Sequence, residues 1–115
     1  MATATKYSQS ALNVSGSVVT LITGVTAGVT QVSSMYFCNT NTTTPRVVTL
    51  LMAGTGVTAT SELMTITLQP RGQNGSTYLI SQPNSPLIMT DQITLRAYQD
   101  TGTDVIVTSN YLEVT

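Results

Sequence analysis

What most constrains this chain is a recurring pattern of short runs in which apolar and polar residues alternate, rich in Val, Ile and Thr, each closed by Gly, Pro, Asn or Asp. Alternation of period two puts apolar side chains on one face of an extended strand, and β-branched residues suit a pleated surface. Helical spacing is nowhere sustained. Candidate strands span Val18–Thr23, Gln31–Cys38, Arg46–Met52, Glu62–Leu68, Thr77–Ile80, Gln92–Tyr98 and Val105–Val114. About seven strands at this spacing predict an all-β fold, a single antiparallel β-sandwich of jelly-roll or Ig-like type.

The breaks between runs have their own mechanisms. Gly24 and Gly28 in GVTAG, and Gly54 and Gly56 in AGTG, permit positive backbone angles in short turns. Asn74-Gly75 is a favoured turn pair, and Pro83 and Pro86 bracket a bend. The segment QDTGTD, Gln99–Asp104, reads as a hairpin turn that pairs Gln92–Tyr98 with Val105–Val114. On alternation, Met35 and Phe37 share one face of their strand, with Tyr36 and Cys38 on the other. Val47 with Leu51, Met64 with Ile66 and Leu68, Ile93 with Leu95, and Ile106 with Leu112 and Val114 are the expected core. That core is aliphatic, because the chain has no Trp and one Phe.

At 115 residues the chain has room for one core. Residues 1–10, MATATKYSQS, lack alternation and are expected to form an extended N-terminal arm ordered by a neighbouring subunit, with residues 11–115 as the sandwich domain. Charged residues make up only 8%, against about 25% in an average soluble protein. Thr and Ser take their place and keep a surface wet without charge. With a formal net charge of −1, much of that surface is expected to be covered by neighbours. The basic residues Lys6, Arg46, Arg71 and Arg96 are scattered, which gives no footprint for nucleic acid. No charge occurs between Tyr7 and Pro45, yet VSGSVVTLITGVTAGVTQV is interrupted throughout by Gly, Ser and Thr. It reads as two strands and a turn rather than a membrane span. No signal peptide is apparent at the N-terminus.

The chain contains no histidine, which removes the commonest general base and metal ligand. Cys38 has neither a cation nor a helix N-terminus in its local sequence to acidify it, and reads as packing. The acids are Glu62, Asp91, Asp100, Asp104 and Glu113. A glycosidase would need two of them at a fixed separation, with Glu62 and Asp91 the residues to neutralise. Asp100 and Asp104 flank a turn, where Asp bonds its own backbone, and DTGTD lacks the ligand count of a calcium loop. RGQNGS has neither the Lys nor the helix of a phosphate-binding loop. These readings predict a protein that is not an enzyme and takes no cofactor, metal or small-molecule substrate.

A particular order of features runs through VVTLITGVTAGVTQVSSMYFCNTNTTTPRVVTLLM, and MTITLQPRGQNGSTYLI and SPLIMTDQITLRAYQDTGTDVIVTSNYLEV continue it. A Val/Thr strand and a Gly turn lead to apolar-x-apolar-Cys-Asn-Thr, a polar bend and a Val-Thr-Leu strand. This order resembles small virion structural proteins of tailed bacteriophages, of β-sandwich type, over roughly Val18 to Thr115. The chain departs from their pattern where Thr90-Asp91 stands in place of Gly-Asp. The resemblance implies a capsid decoration or cement protein, located in the virion, that binds the major capsid protein on the outer head surface, often as a homotrimer. A tail or fibre component that recognises a host receptor or glycan is the alternative. The residues expected to contact a partner are Lys6, Tyr7, Asn41 and Arg46.

Overall fold

A computed structural model describes residues 3–54, 61–81, 87–90 and 93–115. Within them the chain forms nine strands: β1 Thr3–Ala11, β2 Val19–Thr23, β3 Val29–Asn39, β4 Arg46–Ala53, β5 Ser61–Leu68, β6 Thr77–Ser81, β7 Leu87–Thr90, β8 Thr94–Gln99 and β9 Val105–Val114. A single 3-10 turn, Ser15–Ser17, is the only other regular element among the described residues. All strand pairs are antiparallel, in two sheets. Sheet A runs β1-β9-β3-β6, with β7 also on β3; sheet B runs β2-β8-β4-β5.

β6 pairs with Ser34–Cys38 and β7 with Val29–Val32, so together they make one edge strand broken in the middle. Counted that way, the two sheets have the strand order of an eight-stranded jelly roll. Consecutive strands almost always change sheets. Only β4 and β5 are joined as neighbours within one sheet. The expected hairpin across Gln99–Asp104 is therefore not formed: β8 lies in sheet B and β9 in sheet A, and the segment arches between layers. The arch is held from inside, because buried Gln99 accepts the Val105 N–H on its Oε1 (2.9 Å).

The core lies between the sheets and joins Met35, Phe37, Val105 and Val107 of sheet A to Val48, Leu50, Ile66, Leu68, Leu95 and Ala97 of sheet B. Phe37, the one phenylalanine, is fully enclosed. Opposed residues of an antiparallel pair share a face, so Phe37 opposite Val107 sets the phase of β9. That phase is the reverse of the expected one. Val105, Val107 and Ser109 face inward, while Ile106, Leu112 and Val114 face away from sheet B. β4 is inverted likewise: Val48 and Leu50 belong to the core between the sheets, and Val47 and Leu51 share the other face with Thr67 and Arg96, where Leu51 is nonetheless buried as expected. Both strands are apolar on two sides, so alternation alone could not choose between phases.

Residues 3–10, part of the expected arm 1–10 outside the sandwich, instead form β1 together with Ala11 and pair with β9 along the whole strand, from Thr3 opposite Val114 to Ala11 opposite Ile106. Alternation is absent from this segment because neither of its faces is buried; only Ser8 and Ser10, on the inner side, are partly covered. β7 also escaped the pattern, as a four-residue run beside a proline. The expected start of the β8 strand at Gln92 lies outside the described residues.

The GVTAG turn uses its residues differently from the expectation. The positive φ belongs to Ala27 (56°), whereas Gly24 and Gly28 are needed because a Cβ on either would run into a backbone carbonyl, Thr90 or Val114. Two substitutions in this turn should therefore have opposite signs. Ala27→Gly relieves a left-handed alanine and should raise stability by about 0.5 to 1 kcal/mol. Gly24→Ala overpacks the site and should lower it by about 1 to 3 kcal/mol. Urea unfolding midpoints of the two variants against the parent chain check both.

Candidate functional site

Two features of the sandwich could carry function: a polar cluster at one end, and the outer face of sheet A. The cluster is built from the NTNTTTPR bend and the β8–β9 arch. Arg46, the first residue of β4, sends Nε to Asp104 Oδ1 (2.8 Å) and Nη2 to Oδ2 (3.0 Å), a two-pronged ion pair. Asn41 Nδ2 (2.9 Å) and Gln99 Nε2 (2.8 Å) donate to the same carboxylate. The Asp104 carbonyl accepts from Thr40 N–H and Oγ1. Buried Asn39 donates to the carbonyls of Thr44 and Gln69, and Asn41 Oδ1 accepts the N–H groups of Thr43 and Thr44. This is local side-chain-to-backbone bonding replacing a ladder where the chain leaves one sheet for the other.

Arg46 holds the Asp104 carboxyl well below the usual carboxylate range, with the Asn41 and Gln99 bonds adding to the effect against partial burial. Thus Asn41 and Arg46, two of the residues expected to contact a partner, have their polar atoms engaged inside the molecule. A third, Lys6, pairs with Glu113 (2.7 Å). Both lie on the inner side of sheet A, since Lys6 faces Tyr111, Tyr111 faces Val32, and Val32 is core.

Tyr7, the fourth, points the other way and is 74% exposed. Across the strands it neighbours Asn110 and Ser34; the next row is Gln9, Thr108, Tyr36 and Leu79, and on the other side lies Thr5, Leu112, Gln31 and Ile88. Tyr36, Leu79 and Ile88 are each about half exposed, at 49%, 51% and 50%. The outward set Ile106, Leu112 and Val114 of β9 runs through the middle of this face. Among the described residues, no charged side chain stands on it. Arg46, Arg71, Asp100 and Asp104 sit in or beside the end loops, Lys6 and Glu113 on the inner side, and Glu62 and Arg96 on the outer face of sheet B.

The polar groups of the face are also bonded to one another. Gln9 Nε2 donates to Thr108 Oγ1 (3.1 Å) and Asn110 Nδ2 to Ser34 Oγ (3.0 Å). Covering such a face removes no ion from water and strands few polar atoms, so desolvation costs little. The sequence signal for it was the absence of charge between Tyr7 and Pro45, together with strands apolar on both sides.

Cys38 stands on the same face, half-buried between Ile106 and Thr77. Glu62 is exposed and accepts a bond from Thr65 Oγ1 (2.8 Å), and Asp91 lies outside the described residues. No group of three His, Cys, Asp or Glu side chains among the described residues could hold a metal ion, and no described helix is long and apolar enough to cross a membrane. No protein-family model matches the chain, and no curated protein matches it.

The depressed Asp104 carboxyl fixes the sign of a pH effect. Its stabilisation is fully present above the unfolded value of about 3.9 and is lost as pH falls toward the lower folded value. Asp104→Asn should therefore be clearly less stable than the parent at pH 7, with the gap narrowing below about pH 4. Urea midpoints from pH 7 down to pH 2 check this, and a gap independent of pH would contradict it.

Proposed function

We propose that the protein is a non-enzymatic structural component of a bacteriophage virion, a decoration or cement protein that rests the outer face of sheet A on the head and ties neighbouring major capsid subunits. The observation that carries this reading is a face without charge among the described residues, on which Tyr7 is 74% exposed and Tyr36, Leu79 and Ile88 about half. Four large side chains this exposed on a face without charge among the described residues, though interspersed with Thr, Ser and amides, support a surface that meets other molecules. Covering each of these side chains contributes on the order of 1 kcal/mol, so one copy binds modestly. Many copies on a repeating shell convert such contacts into avidity.

Two further points support the setting. The chain resembles small phage virion proteins over its sandwich, and the jelly-roll strand order is one that capsid proteins use, although lectins use it as well. A tail protein that reads a host glycan would gather tyrosines at its loop tips. Here Tyr7, Tyr36, Tyr78, Tyr98 and Tyr111 all lie within strands, which favours packing against protein.

The reading is tested by locating the protein on intact particles by gold labelling, and by adding purified variants to heads that lack it. Label should cover the shell, and label confined to the tail would exclude a cement role. The pair Tyr36→Lys and Leu79→Lys should weaken binding to heads about a hundredfold, at a cost of roughly 1.4 kcal/mol for each tenfold loss. Thr65→Lys, on the outer face of sheet B, should bind as the parent does.

A further inference from the structure

The two sheets have four edges, and three of them carry features that discourage pairing with another strand. β2 is five residues long and its register slips at Thr20/Ile22. β5 is bulged against β4 at Leu50/Leu51 and exposes Glu62. The far edge of sheet A is split into β6 and β7. β1 has none of these features. It runs nine residues without a register shift, contains no proline, and has only Ser8 and Ser10 partly covered. Its one charge, Lys6, is drawn to Glu113 on the inner side of the sheet.

The backbone groups of the open side can be assigned. The Leu12 N–H donates to the Val105 carbonyl (2.9 Å), continuing the β1–β9 ladder by one residue. Alternation then turns Ser10, Ser8, Lys6 and Ala4 toward β9, and leaves the N–H and C=O of Ala11, Gln9, Tyr7, Thr5 and Thr3 pointing outward from the edge. We propose that this edge pairs with the β1 edge of a second copy of the chain, antiparallel across a two-fold axis at Tyr7.

The register follows from the strand itself. Full overlap of Thr3–Ala11 with its own copy sets Tyr7 opposite Tyr7, Thr5 opposite Gln9 and Thr3 opposite Ala11. These are all outward-facing residues, so every open N–H meets an open carbonyl. On the inner face Lys6 meets Ser8 and Ala4 meets Ser10, so no like charges stand directly opposed. At the axis the two tyrosines form a cross-strand aromatic pair on the outer face. Such an isologous two-fold contact closes on itself. It joins the two sheets A into one and makes their charge-free faces continuous. It also fixes a dimer in place of the trimer that the virion resemblance implies.

Sedimentation velocity of the purified chain, in the absence of any capsid, tests the pairing separately from the virion reading. The parent should sediment at twice the chain mass and dissociate on dilution. Thr5→Pro removes an outward N–H that the fold does not use, and should raise the dimer dissociation constant at least about a hundredfold with the circular dichroism of the fold unchanged. Tyr7→Lys, which opposes two cations at the axis, should do the same without touching the backbone. A parent that is monomeric at all concentrations, a trimer, or a dimer that Tyr7→Lys leaves intact would each overturn the proposal.

Discussion

The Asp104 carboxylate is the point on which the architecture turns. In a sandwich whose strands keep changing sheets, the backbone leaves its ladder at each crossing, and the freed polar groups need partners. At one end of this molecule the side chains of β4, β8 and the β3–β4 bend converge on Asp104: Arg46, Gln99 and Asn41. Asn39 satisfies carbonyls of the bend and of the exit from β5. The bend and the arch are thereby tied into one polar knot that closes the aliphatic core at that end. This is a structural use of charge, and it takes up Asn41 and Arg46.

The rest of the charge follows the same rule. With so few ionic groups, their placement at the ends, on the inner overhang and on the back of sheet B leaves the outer face of sheet A without any among the described residues. Threonine, serine and amide side chains keep that face hydrated while the protein is alone. Its interspersed tyrosine, leucine and isoleucine side chains favour contact once a partner arrives. Charge is thus spent on the end loops, and the outer face of sheet A stays neutral among the described residues, as the proposed contact surface needs.

Much of the fold was legible in the sequence. Alternation located seven of the strands within a few residues, since each is punctuated by glycine, proline or a polar run. It failed where the signal is physically absent. β1 buries neither face and shows no alternation, while β4 and β9 are apolar on both faces and conceal their phase. The hairpin expected at Gln99–Asp104 failed for another reason: the same turn residues serve an arch between sheets, and only the tertiary partners Val105 and Arg46 decide between the two. At the candidate site the sequence singles out Tyr7, which the structure leaves exposed on the outer face. The face around it is not legible, because alternation assigns Ile106, Leu112 and Val114 to the core. A strand apolar on its outer side reads as core in the sequence, and the same feature supports the proposed contact face.

The outer face of sheet A, proposed as the contact surface, should change its solvent exposure when the protein binds. Hydroxyl-radical footprinting with mass spectrometry can compare the free protein with the protein mixed with the phage heads proposed as its partner. Tyr7, Tyr36, Leu79 and Ile88 should become protected on binding, while Val14 and Leu63, exposed elsewhere on the molecule, are oxidised as before. Equal oxidation of the sheet A residues in both states would contradict the proposed contact.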